Sequence, residues 1–396
     1  MPGPGSFLVG EEEEAQILEV IRSGHLYRYG SPDDPRFLRK VMTLESEFAA
    51  SVGVEHALAV NSGTAALWIS MLSLGIGEGD EVIVPAYTYV ATYTAVLFTG
   101  ATPILAEVDE TLNLDPNDVE ARITPRTKAI VPVHMLGNPA ELDALLPIAK
   151  KHDLLVIEDC AQAAGARYKG QSVGSFGRMG GFSLNFFKTF TAGDGGLIAT
   201  NDSVLYEKAF GYHDQGHRPL RTGTEVGRRE VLGMNHRINE LTGAVALAQL
   251  RKLDGITSTL RGHKARLKAG IEARSEVEFR RITDLEGECG TLLVMMLENA
   301  ERARRVAERL ATTTLDKSGW HVYSNMEHIR KALKEKGHDI SKGSFPRTDA
   351  LLERSINLSV GVVDGGLGSG FGVNIKSSDE EIDEVAARVS SALAEA

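Results

Sequence analysis

Seven short apolar segments recur between residues 57 and 201, and helical patterns separate the first five of them. They are ALAVNS (57–62), EVIVP (81–85), TPILAEV (102–108), KAIVPVH (128–134), LLVIED (154–159), GGFSLN (180–185) and GLIATN (196–201). Strands that alternate with helices predict an α/β domain around a mainly parallel seven-stranded sheet with both faces covered. Because the last two segments lie close together in the chain, one strand is expected to run antiparallel.

The pattern changes after residue 257, where a long charged helical stretch precedes the apolar strand CGTLLVMML and further helix. We therefore expect an N-terminal arm and helix over 1–44, a large α/β domain over 45–257 and a smaller C-terminal α+β domain over 258–396. The glycine-rich stretch VGVVDGGLGSGFG (360–372) predicts a loop. A loop beside a site and a plain linker are equally compatible with it.

Composition narrows the possible partners. The net charge of −11 argues against a nucleic-acid footprint, since no stripe of Lys and Arg interrupts the acidic average. The two cysteines, Cys160 and Cys289, are too few for a disulfide framework or a four-thiolate cluster. The sequence shows neither an export signal nor an apolar run of membrane-spanning length. We expect a cytoplasmic protein with no nucleic-acid and no membrane partner.

Residues that directly follow the predicted strands are the first candidates for a site, because ligands of open α/β sheets gather at the carboxyl ends of strands. Ser62, Gly63 and Thr64 open a helix after the first strand, and the free amide groups of a helix N-terminus suit a phosphate. A simple Ser/Thr cap is the alternative. Tyr87 and Tyr89 follow the second strand, where an aromatic ring either stacks on a flat ligand or belongs to the core.

Two ionisable residues complete this pattern. Asp159 ends the wholly apolar fifth strand, where a buried carboxylate needs a partner. Lys188 lies in GFSLNFFKTFTAGDGG (181–196), between an apolar run and a glycine-rich turn. Burial lowers the pKa of a lysine and makes its amine a nucleophile or a Schiff-base partner. A lysine that snorkels from a strand end is the alternative.

A lysine, a carboxylate, an aromatic ring and a phosphate cup together favour pyridoxal 5'-phosphate (PLP) as the cofactor. Nearly the whole chain also resembles the DegT/StrS sugar aminotransferases, which are fold type I PLP enzymes. The stretches that carry this likeness are NSGTAAL, GDEVIVPAYTYVAT, GATPILAEVD, ITPRTKAIVPVHMLGNPAELD, VIEDCAQAAGA, FSLNFFKTFTAGDGG and GMNHRINELTGAVALAQL.

The resemblance implies a role for each matching residue. Lys188 would hold PLP as an aldimine and move the proton between substrate and cofactor, Asp159 would pair with the pyridine nitrogen, and Gln162 would touch the ring hydroxyl. Asn235 would complete the phosphate cup of the other subunit, which implies a homodimer with shared active sites. The cofactor-binding residues would be Ser62, Gly63, Thr64, Tyr89, Asp159, Gln162, Ser183, Lys188 and Asn235.

The resemblance also implies a reaction. Related dehydratases carry His in place of Lys188, so transamination is favoured here. An amino acid, most often L-glutamate, would convert PLP to its pyridoxamine form, which would aminate a keto or aldehyde carbon of a sugar or sugar-like acceptor. A PLP-dependent sugar dehydratase, a non-catalytic PLP-binding regulator and a structural dimer with a vestigial site are the alternatives.

Three short stretches within this likeness, LYRYG (26–30), HDQGH (213–217) and PRTD (346–349), are similar to those of the 8-amino-3,8-dideoxy-manno-octulosonate transaminases. SGWHVYSNMEH (318–328) and VDGGLGSGFG (363–372) depart from that subgroup where substrate contacts are expected. The acceptor therefore stays open between a sugar, a cyclitol and another carbonyl compound.

Histidines offer little sign of a metal. His213 and His217 are four residues apart, but Gly216 and the missing Glu speak against a zinc motif, so we expect none and consider a substrate-side loop instead. His134 either faces the cofactor or is a hydrogen-bonded structural residue.

Overall fold

The computed structural model describes residues 3–219 and 229–396. Its central sheet has seven strands in the order β1-β9-β8-β5-β4-β2-β3. Between β5 and β8, a two-stranded hairpin contributes β6 and β7. The bounds are β1 His56–Val60, β2 Glu81–Pro85, β3 Thr102–Ala106, β4 Thr127–Ile130, β5 Leu155–Asp159, β6 Arg167–Tyr168, β7 Gln171–Ser172, β8 Met179–Ser183 and β9 Gly196–Thr200.

The seven-stranded, mainly parallel sheet is confirmed. β9 pairs antiparallel with both β1 and β8, whereas every other neighbouring pair in this sheet is parallel. The first strand ends at Val60, two residues earlier than its apolar run predicts, because Asn61 and Ser62 turn away to begin a helix. This early turn places Ser62 beside the carboxyl ends of the parallel strands.

Helices cover both faces of the sheet, and further helices belong to the C-terminal part. They are α1 Pro4–Phe7, α2 Glu11–Ser23, α3 Lys40–Val52, α4 Gly63–Ser73, α5 Val90–Leu97, α6 Pro116–Ala121, α7 Leu142–Lys151, α8 Ser203–His213, α9 Glu240–Leu250, α10 Leu253–Glu272, α11 Ala300–Arg309, α12 Glu327–Glu335, α13 Pro346–Glu353 and α14 Asp379–Ala394. Among the described residues, none of these helices is long and apolar enough to cross a membrane.

Close packing between α4 and the sheet fixes the helix that begins at Gly63. A Cβ atom at Gly181 in β8 would lie 2.8 Å from Leu67 Cδ2 of α4, so the glycine lets Leu67 pack directly on the strand. Leu67 is buried in the same apolar cluster as Val84 and Ile157 of the sheet. The first turns of α4 are thereby packed against β8.

The C-terminal part has a second sheet, in which β10 (Glu278–Phe279), β11 (Leu292–Met296) and β12 (Ser355–Ser359) pair antiparallel. Its apolar side chains share a core with those of α10 and α14. The predicted boundary at residue 258 falls inside α10, which begins at Leu253. The division into three parts otherwise stays a prediction.

Candidate active site

A cavity of about 530 Å³ opens where the carboxyl ends of β1, β2 and β5 meet the C-terminal part. Its lining brings together eight of the residues predicted from the sequence, namely Ser62, Gly63, Thr64, Tyr89, Asp159, Gln162, Ser183 and Lys188. The glycine-rich stretch reaches the same cavity through Val362, Asp364, Gly366 and Leu367. The sequence left open whether residues 360–372 form a loop beside a site or a plain linker, and the structure favours the loop beside a site.

One wall is the N-terminus of α4. Ser62 Oγ accepts a hydrogen bond of 3.0 Å from the Ala65 amide, so the predicted cap exists. It leaves the amides of Gly63 and Thr64 at the open end of the helix, where an anion is favoured. A Cβ atom at Gly63 would lie 2.7 Å from Ser183 Cβ, so the glycine allows Ser183 to close the cup from β8.

Asp159 is buried and ordered by two hydrogen bonds. Its Oδ2 accepts from Thr92 Oγ1 at 2.8 Å, and its Oδ1 accepts from the Ala161 amide at 3.1 Å. Burial raises the pKa of Asp159, and these bonds together with the charge of Lys188 oppose that rise. A cationic ring nitrogen placed beside Asp159 would shift its pKa back down, because opposite charges favour the ionised form.

Lys188 lies across the cavity and has a lowered pKa. Its Nζ is 5.8 Å from the centre of the Tyr89 ring. Burial lowers the pKa of Lys188, and the carboxylates of Asp159 and Asp364 oppose that shift. The amine is therefore more readily deprotonated than a surface lysine, as a nucleophile requires.

The structure distinguishes between the two tyrosines. Tyr89 is 42% exposed and lines the cavity, whereas Tyr87 is fully buried in the core. Tyr89 is therefore the ring available to stack on a ligand, and the core alternative holds for Tyr87.

His321 was not identified from the sequence, although it is buried directly against the cavity. Ser318 Oγ donates to Gly366 O at 2.7 Å, so His321 Nδ1 donates to Ser318 Oγ at 2.9 Å. His321 Nε2 then accepts from Gln162 Nε2 at 3.4 Å. Burial and the nearby charge of Lys188 lower the pKa of His321 to about 3, which keeps the ring neutral.

Gln162 is held in place by these contacts. Its Oε1 accepts from the Leu136 amide at 2.9 Å, so the amide NH₂ group points to His321. The sequence predicts substrate contacts in 318–328, the stretch that contains His321, but it does not single out this histidine, which arrives from the C-terminal part. The Thr88 amide donates to His321 O, and Tyr87 bridges to Val322.

His134 does not face the cavity. It is fully buried, its Nδ1 accepts from the Ala140 amide at 3.0 Å, and its Nε2 donates to Glu158 Oε2 at 3.1 Å. Cys160 lies within 4.8 Å of both groups, but Glu158 is already bound by the amides of residues 174, 176 and 177. The cofactor-facing alternative for His134 is wrong, and the structural alternative holds.

His213 is also a structural residue. Its Nε2 accepts from Arg28 Nη1 at 2.9 Å, and its Nδ1 donates to Phe210 O at 3.1 Å. Burial and the Arg28 charge lower its pKa to about 3. Both ring nitrogens are thus engaged, which leaves His213 without a free nitrogen for a metal. Neither His213 nor His217 lines the cavity.

Asn235 lies outside the cavity of its own chain. Its side chain is exposed, and its Oδ1 accepts from the Arg237 amide at 3.2 Å. Its backbone bridges to Asp214. A role at the cofactor would therefore require a second copy of the chain.

The sheet order, the small C-terminal layer and the cavity between them define a protein of the fold type I aminotransferase class. The model of the DegT/DnrJ/EryC1/StrS aminotransferase family matches residues 8–363, and the chain belongs to that family. This agrees with the resemblance seen in the sequence.

Individual relatives support the same assignment. GDP-perosamine synthase of Escherichia coli O157:H7 is 42% identical over 258 residues, which span 64% of this chain and 66% of the relative. The spore coat polysaccharide biosynthesis protein SpsC of Bacillus subtilis (strain 168) is 40% identical over 367 residues, 89% of this chain and 90% of the relative. The solved structure of 3-amino-5-hydroxybenzoic acid synthase superimposes with a TM-score of 0.82 at 29% identity and covers 98% of this chain and 97% of its own.

Proposed function

We propose that this protein is a PLP-dependent aminotransferase that moves an amino group from L-glutamate to a carbonyl carbon of a sugar-like acceptor. The observation that carries the proposal is the position of Lys188, an amine of lowered pKa that shares one cavity with Asp159 and the N-terminus of α4. A regulator that only binds PLP would not need both ionisable groups. A dehydratase of this family would carry His at position 188.

The residues present fit PLP. The cup formed by Gly63, Thr64 and Ser183 suits its phosphate, because a Cβ at Gly63 would fill the space next to Ser183. Asp159 offers a buried carboxylate to the ring nitrogen, and Tyr89 offers an exposed ring face. PLP, when bound, supplies an electron sink for the deprotonated substrate carbon.

The protein's own contribution is to bind, orient and move a proton. Lys188 would carry that proton, because its pKa is lowered by burial. Asp159, fixed by Thr92, would hold the ring nitrogen protonated. The neutral His321 accepts from the Gln162 amide group and so fixes the side chain that would contact the ring hydroxyl.

The acceptor side of the cavity suits a polyol. Trp320 lines it and is 55% exposed, and an indole face packs well against the apolar face of a sugar ring. Asp364 adds a carboxylate that can accept hydrogen bonds from hydroxyl groups. Relatives named for GDP-perosamine and for 3-amino-2,3-dideoxy-scyllo-inosose make both a nucleotide sugar and a cyclitol suitable acceptors to test. The likeness of three short stretches to the octulosonate transaminases adds a keto sugar acid as a third.

We also propose a homodimer in which Asn235 of each subunit completes the cavity of the other. Asn235 is exposed and lies away from its own cavity, so it is free to contact a second subunit.

The decisive experiment follows the visible absorbance of the PLP-loaded protein while L-glutamate is added. We expect the band of the Lys188–PLP linkage to be replaced by the band of the pyridoxamine form, and 2-oxoglutarate to appear in equal amount. Lys188→Ala should lack the first band and retain the oligomeric state. A band that no amino donor changes would refute the aminotransferase proposal and favour the regulator.

A further inference from the structure

The N-terminal segment (residues 3–8) is hydrogen-bonded to the backbone of the loop that carries Lys188. The Gly3 amide donates to Phe186 O at 3.1 Å, and the Gly5 amide donates to Lys188 O at 3.4 Å. Ser6 Oγ donates to Phe186 O at 2.7 Å. The carbonyl groups of Phe186 and of Lys188 itself are therefore bound by a part of the chain about 180 residues away in sequence.

Glycine at two of these positions is required by contact distance. A Cβ atom at Gly3 would lie 2.2 Å from the carbonyl carbon and oxygen of Phe187 and 2.8 Å from the Lys188 amide nitrogen. A Cβ atom at Gly5 would lie 2.8 Å from Phe190 Cα and 2.6 Å from Gln249 Oε1. Most of these atoms belong to the backbone and cannot move aside without shifting the lysine loop itself.

The N-terminal segment is anchored at its other end by a buried charge cluster. Lys252 Nζ donates to Leu8 O at 2.9 Å and forms an ion pair with Glu13 at 2.8 Å. Glu13 is 1% exposed and also accepts from Gln249 Nε2 at 2.9 Å and from the Gly10 amide at 2.8 Å. The charge is thus well paired, as burial requires. The position of the N-terminal segment is set by α9 and α10.

The same segment contacts a second wall of the cavity. A Cβ atom at Gly361 would lie 2.8 Å from Pro4 Cγ, and Gly361 directly precedes the cavity-lining residues Val362 and Asp364. The N-terminal segment therefore packs against both the lysine loop and the glycine-rich loop.

We propose that Gly3, Gly5 and Ser6 are positioning residues for Lys188. By binding the carbonyl groups of Phe186 and Lys188, they fix the backbone from which the amine reaches the cofactor. This inference rests on the proposed function of Lys188. A small displacement of a reacting group is sufficient to slow a positioned reaction by about 100-fold, so these contacts outside the cavity control the geometry within it.

The experiment compares Gly3→Ala and Ser6→Ala with Gly262→Ala, a control in α10 where a Cβ meets no atom within 4 Å. Each variant is loaded with PLP, and the pH midpoint of the Lys188–PLP absorbance and the rate of PLP release are measured. Gly3→Ala should shift the midpoint and release PLP about 10-fold faster. Ser6→Ala should change both in the same direction by less, and Gly262→Ala should match the unmodified protein.

Thermal unfolding separates positioning from simple stabilisation. If Gly3→Ala and Ser6→Ala lower only the unfolding temperature and keep the midpoint and the release rate, the inference is wrong. If Gly3→Ala does not fold, Ser6→Ala decides alone, because it removes one hydrogen bond and adds no atom. A failure of the proposed function is distinguishable, since the unmodified protein itself would then form either no Lys188–PLP band or a band that no amino donor changes.

Discussion

Burial moves the pKa values of Lys188 and Asp159 in opposite directions, and in both cases toward the neutral form. The pKa of the amine is lowered and that of the carboxyl is raised, while each group partly opposes the shift of the other through its charge. A ligand with a cationic ring nitrogen and a reactive carbonyl would relieve both penalties at once. The site is thus arranged electrostatically for such a ligand before the ligand arrives.

Both residues were predicted from the sequence because each interrupts or ends an apolar run, which is a local signal. His321 gave no such signal of its own, and the sequence predicted substrate contacts only for the whole stretch 318–328 that contains it. Its environment is built by Ser318, three residues earlier in the chain, and by Gln162 and Lys188, which are more than 130 residues away. Local patterns can identify a residue that is out of place, but not one whose role depends on distant partners.

Acid should destabilise the protein through His213. Its pKa is about 3 in the folded state against 6.5 ordinarily, so below pH 6.5 the unfolded chain binds a proton that the folded chain does not. The free energy of unfolding should therefore fall with decreasing pH by up to about 1.4 kcal/mol per pH unit for this residue. Urea unfolding of His213→Gln between pH 7 and 4.5 should show a shallower decline.

His328→Gln, at an exposed position, is the control and should keep the original slope. The prediction fails if His213→Gln loses stability with acid as steeply as the unmodified protein.

At the scale of elements, the sequence predicted which segments are strands but not how they are arranged. The apolar runs mark the seven strands, whereas their order in the sheet depends on long-range pairing. β9 inserts between β1 and β8, and a Cβ atom at its first residue, Gly196, would lie 2.4 Å from Ser62 O. Because of this insertion, α4 packs against three neighbouring strands, β1, β9 and β8. The proposed phosphate cup therefore depends on the order of the strands as well as on Gly63, Thr64 and Ser183 themselves.

Gly63→Ala tests this arrangement. The added methyl would lie 2.7 Å from Ser183 Cβ, so α4 or β8 must move by several tenths of an ångström. We expect affinity for PLP to fall by about 10-fold or more, since the cup loses its fit to the phosphate. Spectroscopic titration with PLP measures the effect. Gly255→Ala in α10, where a Cβ meets open space, should bind PLP normally; equal affinity of both variants would show that the cup tolerates a wider separation.

At the scale of the whole molecule, several exposed apolar side chains lie near Asn235 in the chain or beside its neighbour His236. Leu232 is 97% exposed and Met234 is 60% exposed. Trp68 packs edge-on against His236 at 5.3 Å and donates from Nε1 to the backbone oxygen of Phe98, which is 78% exposed. Exposed apolar side chains of this kind support the proposed homodimer, because such residues are typical of protein interfaces. The sequence could suggest a dimer only through family resemblance, because no local pattern shows which exposed residues are neighbours.

Mixed dimers test whether the cavity is shared. A dimer of one Lys188→Ala subunit and one Asn235→Ala subunit would carry both changes in one cavity and neither in the other. Random mixing makes half of the dimers mixed, so refolding the two variants together should restore about a quarter of the normal rate of the glutamate half-reaction. Lys188→Ala mixed with Asp159→Ala is the matched control, because both residues line the cavity of the same chain and every cavity would remain defective. If the mixture with Asn235→Ala regained no more activity than the mixture with Asp159→Ala, the shared cavity would be wrong. Asn235 would then belong to the site of its own subunit or to no site.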